Sequence, residues 1–295
     1  MKAFVTGVGG QLGYDVFNEL KSRGVFTVGS DILRCDNVDN YVQLDITDSG
    51  AVESIITRED PDVVFHCAAW TAVDDAEDED NKDKVMAANV YGTQNIALAC
   101  KKINSKMIYI STDYVFNGEG EAAWKPDCES FEPLNVYGRS KLDGERCVAD
   151  LLEKYFIVRV EWIFGKNGIN FVNTMLDLGK KTDTVRVVSD QIGTPTYTHD
   201  LAKLLADMAQ TEKYGIYHAS NEGGYISRYD FACEIFKQAD YNIRVIPVTT
   251  RQYGLSKAIR PLNSRLDKSK LAAMGFETLP TWQDALSRYL MEIEY

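Results

Sequence analysis

Tyr137 and Lys141 are the residues whose types and spacing point most directly to chemistry. Four positions apart on a helix, a phenol and an ammonium share one face about a turn apart. A cation held beside a phenol favours the phenolate and lowers a pKa that is about 10 when unperturbed. That suits a tyrosine to general acid or base work near neutral pH. The spacing alone is common, and an exposed amphipathic helix also satisfies it. The pair gains meaning if the chain brings a hydride carrier and a reactive carbonyl to the same place.

The N-terminal stretch supplies the first of these. Lys2 to Thr6 is a run of strand formers, followed at once by Gly7-Val8-Gly9-Gly10-Gln11-Leu12-Gly13. Residues 14–21 then carry apolar side chains at helical spacing, and Gly24 closes the segment. In a strand–turn–helix context, glycines at 7, 10 and 13 allow a tight turn, a close approach of backbone amides to a pyrophosphate, and close packing of helix on strand. The positive end of the helix dipole favours the same phosphate. A second strand, Phe26 to Ser30, ends at Asp31, where an acid accepts adenosine ribose hydroxyls and disfavours a 2′-phosphate. Arg34, three residues on, could offset that, so NADH and NADPH both stay open.

Val42 to Leu44 reads as a third strand leading into Asp45-Ile46-Thr47-Asp48, with an acid in reach of the adenine edge and Thr47 or Asp48 as a helix cap. Val63 to Ala69 is an almost continuous apolar run, as expected of a buried parallel strand, and the small Ala68 and Ala69 leave room for a ligand. The acidic run from Asp74 to Asp83 lacks the order of a calcium loop and reads as a solvated loop and helix start. A helix follows over residues 85–102. The strand Met107 to Ile110 ends in Ser111-Thr112-Asp113-Tyr114, polar groups just past the carboxyl end of a central strand, where open α/β sheets place ligands. An irregular excursion over 119–134 precedes the helix of Tyr137 and Lys141, and Phe156 to Val160 is a sixth strand.

This alternation predicts an α/β fold, a Rossmann-like doubly wound parallel sheet with a smaller interleaved α/β substrate lobe. We expect residues 1–165 to form the dinucleotide-binding domain, with 184–218 partly returning to it. Residues 166–183 and 219–295 would form the smaller lobe. With 45% hydrophobic and 26% charged residues over 295 positions, the composition is that of an ordinary soluble globular protein. A net charge of −12 argues against nucleic acid or an anionic membrane as partner. No apolar run approaches the ~20 residues of a membrane span. The first strand begins at Lys2, leaving no room for a signal peptide, so a cytoplasmic location is expected. The 6 cysteines show no metal-binding or paired spacing and read as reduced thiols.

The chain resembles the extended short-chain dehydrogenase/reductases and, within them, the dTDP-4-dehydrorhamnose reductase family. The glycine motif, the Ser111-to-Phe116 stretch and the Tyr137/Lys141 pair carry the general likeness. Asp190-Gln191-Ile192-Gly193-Thr194-Pro195-Thr196 and Arg260-Pro261-Leu262-Asn263-Ser264-Arg265-Leu266 carry the specific one. The resemblance implies reduction of a dTDP-linked 4-keto-6-deoxy sugar by NADPH or NADH, in a monomer or homodimer. It implies Tyr137, Lys141 and Thr112 as catalytic residues. Gly7, Gly9, Gly10, Gln11, Leu12, Gly13, Asp31, Asp45, Ile46, Ala68, Ala69 and Trp70 would bind cofactor together with Tyr137 and Lys141. Thr112, Asp113, Trp162 and Arg260 would bind substrate, with Arg260 or Arg265 as candidates for the diphosphate. Asn89 is a candidate anchor for a proton-relay water, the alternative being a structural hydrogen bond from helix to loop.

Some departures from the family pattern are visible: His66 stands where asparagine is common, and Val160-Glu161-Trp162 replaces Thr-Ser-Trp, with Trp162 kept. Some members are dimers bridged by magnesium. Asp15 matches one such ligand, the others are not placed, and no metal is expected. Dehydratases on this scaffold carry glutamate where this chain has Tyr114, which favours net reduction. Another sugar-nucleotide epimerase or reductase, or a non-catalytic reductase-like subunit, remains as an alternative.

Overall fold

The computed structural model describes residues 1–293. The chain opens with β1 (Lys2–Thr6), α1 (Gln11–Ser22), β2 (Phe26–Asp31), β3 (Tyr41–Gln43), α2 (Ser49–Glu59) and β4 (Val63–His66). Next come α3 (Glu79–Met86), a π-helical stretch over Ala87–Gly92, α4 (Thr93–Ile103), β5 (Lys106–Thr112), α5 (Val136–Leu151) and β6 (Tyr155–Val160). These strands, joined by one from the second half of the chain, form a seven-stranded sheet in which every pairing is parallel.

The second half contains β7 (Ile163–Phe164), α6 (Phe171–Gly179), β8 (Thr184–Val188), β9 (Ile192–Gly193) and β10 (Thr196–Tyr197). After α7 (Thr198–Ala209), β11 (Gly215–Ala219) pairs with β6, so the sheet order is β11-β6-β5-β4-β1-β2-β3. The order reverses between β1 and β4, which opens a crevice at their carboxyl ends. The chain closes with β12 (Ile226–Ser227), α8 (Arg228–Gln238), β13 (Arg244–Val248), α9 (Thr250–Tyr253), α10 (Ser269–Ala273) and α11 (Trp282–Ile293). β8 does not rejoin the large sheet; it pairs in parallel with β13. Among the described residues, no helix is long and apolar enough to cross a membrane.

Strand periodicity distributes side chains to the two faces. Ala3 and Val5 join Phe17, Leu20, Leu201 and Leu205 in the layer covered by α1 and α7. Phe4 points the other way, with Ile56, Ile96 and Ile157 beneath α2 and α4. A third apolar cluster, built on Phe164, Phe231, Trp282 and Tyr289, belongs to the second half of the chain.

Local departures from the sequence reading have local causes. α1 starts three residues earlier than its apolar spacing indicated, because Gln11, Leu12 and Gly13 are its first turn. The helix expected over 85–102 begins at Glu79 and widens to π form at 87–92. Such bulges tend to mark functional surfaces. Here the widened turn carries Asn89 and brings Gly92 against Ile46, whose Cδ1 would lie 2.7 Å from any Cβ at that position. Asp48, not Thr47, caps α2 by accepting the Ala51 N–H at 2.9 Å.

Candidate active site

A cleft of about 800 Å³ runs along the carboxyl edge of the sheet from Asp31 past Tyr137 to Arg228. Of the candidate catalytic, cofactor and substrate residues singled out from sequence, all but Gly9, Arg260 and Arg265 line it, and Asn89 lies behind its wall.

At one end the turn between β1 and α1 is shaped by what its glycines exclude. Gly7 has φ 73°, and a Cβ there would lie 2.7 Å from the Ala68 nitrogen. A Cβ on Gly13 would lie 2.1 Å from the Gly7 carbonyl oxygen. No side chain caps α1, so its first-turn amides lack the partner that a Ser or Asp would provide. This bare, glycine-lined helix start fits the pyrophosphate of a dinucleotide. Gly9 acts indirectly: its N–H donates to Asp31 Oδ2 at 2.9 Å, fixing the acid at the end of β2. Arg34 is exposed and paired with Asp36 at 2.7 Å. Asp45 accepts the Thr47 N–H at 2.9 Å and its hydroxyl at 2.8 Å.

The cleft wall after β4 is held from behind. Asn89 is fully buried; its Oδ1 accepts the Trp70 N–H at 2.7 Å, and its Nδ2 donates to the Trp70 carbonyl at 3.1 Å and to Ser140 Oγ at 2.9 Å. Three of the four hydrogen bonds the amide can make are thus used, and they tie helix to loop.

Midway along the cleft lie the polar groups of β5 and α5. Asn135 caps α5 by accepting the Gly138 N–H at 2.7 Å, and a Cβ on Gly138 would lie 2.3 Å from the Tyr114 carbonyl oxygen. This close approach seats the first turn of α5 on the segment after β5, so that Tyr137 neighbours Thr112 in the cleft. Thr112 also donates to Asp113 Oδ1 at 3.0 Å and accepts the Tyr114 N–H at 3.2 Å. Lys141, one turn further on, is 3% exposed; its Nζ lies 4.1 Å from the centre of the Tyr109 ring and donates no hydrogen bond among the described residues.

The electrostatics reverse one expectation. Loss of solvent, reinforced by Asp113, drives the Tyr137 phenol well above its ordinary value, and the ammonium does not pull it down. Burial instead lowers Lys141 to about 7, against the opposing charge of Glu145. Burial likewise raises Asp113 to about 6, opposed by the neighbouring Ser264 and Thr112 hydroxyls. The desolvation of each group outweighs the attraction between them. Near neutral pH the phenol holds its proton.

Beyond Tyr137 the cleft is closed by Glu161, Trp162 and Arg228. Trp162 sits in the left-handed region at φ 48°, an uncommon conformation for a bulky residue. Its ring lies 3.9 Å from the Arg228 guanidinium carbon. Arg260 is turned elsewhere: its guanidinium grips Asp74 at 2.8 and 3.1 Å, and it also hydrogen-bonds Tyr114. Sequence reasoning missed Arg228. Its only signal was its place as the first residue of a helix, which says nothing about the cleft. Asp15 is buried at the start of α1 and accepts the Thr198 hydroxyl.

A doubly wound sheet with a bare glycine-lined helix start at its switch point and a Thr/Tyr/Lys set beside it defines a Rossmann-type oxidoreductase. The sequence comparisons narrow this further. The chain belongs to the family of the RmlD substrate binding domain, which matches residues 1–295. It is 40% identical over 298 residues to the dTDP-4-dehydrorhamnose reductase of Aggregatibacter actinomycetemcomitans, covering 97% of each chain. It is 36% identical over 291 residues to the spore coat polysaccharide biosynthesis protein SpsK of Bacillus subtilis, covering 99% of this chain and 97% of that one. The crystal structure of the Bacillus anthracis dTDP-4-dehydrorhamnose reductase in complex with NADP superposes with a TM-score of 0.91 at 38% identity, covering 99% of this chain and all of the other.

Proposed function

We propose that this protein is an NAD(P)H-dependent reductase that converts dTDP-4-dehydro-L-rhamnose to dTDP-L-rhamnose for a surface polysaccharide. The observation that carries the reading is the set of Thr112, Tyr137 and Lys141 in the same cleft as the bare start of α1. A nicotinamide cofactor, when bound, supplies hydride to the keto carbon. Tyr137 gives its proton to the ketone oxygen, and its raised pKa keeps it in the form a donor needs. The Thr112 hydroxyl holds the same oxygen. Lys141, whose ammonium has no hydrogen-bond acceptor among the described residues, takes the nicotinamide ribose hydroxyls.

The start of α1 receives the pyrophosphate, Asp31 the adenosine ribose, and Asp45 with Ile46 the adenine. Ala68, Ala69 and Trp70 form the wall, while Asp113 and Trp162 face the sugar. Arg260 is committed to Asp74, so Arg228, which lines the far end of the cleft, takes its place as the arginine for the sugar diphosphate.

The test is direct. Purified protein is mixed with NADH or NADPH and dTDP-4-dehydro-L-rhamnose generated in situ, and cofactor absorbance is followed. Consumption dependent on the sugar nucleotide supports the proposal; no consumption with either cofactor overturns it.

A further inference from the structure

Glu161 is a buried carboxyl in the cleft for which the reduction just described has no use. It directly follows β6, is 1% exposed, and lines the cleft. Its Oε2 accepts the Thr194 N–H at 2.8 Å. Gly193 leaves the space this oxygen fills, since a Cβ there would lie 2.2 Å from it. The Glu161 carbonyl is fixed in turn by the Thr196 hydroxyl at 2.5 Å. With one oxygen and the main chain held so firmly, the other oxygen, Oε1, has no hydrogen-bond partner among the described residues. Asp113, 3% exposed and lining the same cleft, shows the same pattern: Oδ1 is engaged by Thr112, and Oδ2 has no partner among the described residues.

A buried oxygen without a partner carries a desolvation cost that native proteins rarely tolerate without a purpose. Two carboxyls line one cleft, each anchored through one oxygen and unpartnered at the other, and together they offer hydrogen-bonding positions to hydroxyl groups. The two groups also differ in what they offer. Burial, with Asp113 adding to it, raises Glu161 well above the carboxylate range, against the opposing charges of Lys268 and Arg228. In its protonated form Glu161 has an O–H to donate, while Asp113 presents acceptor lone pairs. Tyr225, whose own phenol is raised in part by Glu161, is the remaining titratable neighbour.

We propose that Glu161 is a specificity-determining residue that, with Asp113, brackets a ring hydroxyl of the sugar, so that the enzyme selects hydroxylated 4-keto sugars over their deoxy counterparts. The inference rests on the sugar-nucleotide reading given above. A role confined to bracing the Gly193–Thr194 segment would weaken all substrates alike, whereas a hydroxyl contact is felt only by substrates that carry the hydroxyl.

Steady-state kinetics on the 4-keto sugar nucleotide and on its 2-deoxy and 3-deoxy analogues separate these cases. Wild-type enzyme is expected to favour the parent over one analogue by at least about 10-fold in kcat/KM, the scale of a lost buried hydrogen bond. Glu161→Ala should raise KM for the parent by a similar factor, with a smaller effect on kcat, and abolish the preference. Glu161→Gln, which keeps a donor and an acceptor, should restore most of it. Equal wild-type kcat/KM on all three compounds overturns the proposal, as does a Glu161→Ala enzyme that keeps the preference or loses activity on all three equally. A wild-type enzyme inactive on the parent compound refutes the sugar-nucleotide reading and this proposal with it; activity with no hydroxyl preference refutes this proposal alone. If Glu161→Ala fails to fold, the wild-type preference and Glu161→Gln decide.

Discussion

Replacing Lys141 by methionine is expected to stabilise the cofactor-free protein at pH 6 while removing its activity. The ammonium is almost fully buried, donates no hydrogen bond among the described residues, and rests on the face of Tyr109. Burial moves it from 10.5 to about 7. At ~1.4 kcal/mol per tenfold change in proton affinity, this amounts to a folding cost of at most about 5 kcal/mol. Below the folded value near 7 the side chain is charged in both folded and unfolded chains, and the cost is complete. Between about 7 and 10.5 the folded chain loses its proton first and the cost shrinks; above 10.5 it vanishes. Methionine has similar length and no charge, and adapts to irregular space.

Taking about 2–5 kcal/mol, and roughly 2 °C per kcal/mol for a chain of this size, the variant should melt about 4–10 °C above wild type at pH 6. By pH 9 the gain should have fallen by at least about half. Differential scanning fluorimetry without cofactor measures both. Saturating cofactor should raise wild type more than the variant, because the ribose hydroxyls give the ammonium its missing partners. A melting temperature at or below wild type at pH 6, or a gain unchanged at pH 9, would refute the reasoning.

Three further outcomes are expected. Tyr137→Phe should lower kcat by at least about 100-fold, with the cofactor dissociation constant nearly unchanged in a fluorescence titration; wild-type turnover would place the acid elsewhere. Gly13→Ala places a Cβ 2.1 Å from the Gly7 carbonyl oxygen and should weaken cofactor binding by at least about 10-fold. Undiminished affinity would show that the turn can shift without loss. Glu145→Ala removes the carboxylate that grips the fully buried Arg159 at 2.8 and 2.7 Å, leaving its charge supported by the rings of Phe116 and Phe131 and the Pro126 carbonyl. The loss should be about 3–5 kcal/mol, read as a fall of roughly 6–10 °C in Tm.

The end of the cleft at the start of α1 was legible because its determinants are local. A glycine turn between a strand and a helix, and an acid at the next strand end, are contiguous patterns whose geometry follows from backbone sterics. Thr112 and Tyr137 could be placed because both stand next to an element that the sequence marks clearly. The far end was not legible, because it is assembled from segments far apart in the chain. Glu161, Gly193, Arg228 and Ser264 meet only after the second lobe has folded over the sheet, and no spacing encodes that meeting. Arg260 illustrates the converse: a motif drew attention to it, yet Asp74, more than 180 residues earlier, claims its guanidinium. The direction of the Tyr137 and Lys141 shifts was equally hidden, since burial depends on everything packed around a helix and not on the helix itself.

The parallel pairing of Gly215–Ala219 with β6 places the edge of the sheet under the control of chain made late in synthesis. An emerging polypeptide that has reached only Val160 exposes the flank of β6 and the uncovered side of α1, which α7 will later hide. The large sheet therefore cannot finish folding on the ribosome before the chain beyond residue 219 has cleared the exit tunnel, and its apolar face waits for that event. Truncation after β6 should accordingly yield an aggregating fragment and not a small cofactor-binding module. For the same reason, a protease nick in the excursion between α5 and its preceding strand should be better tolerated than one between α7 and β11.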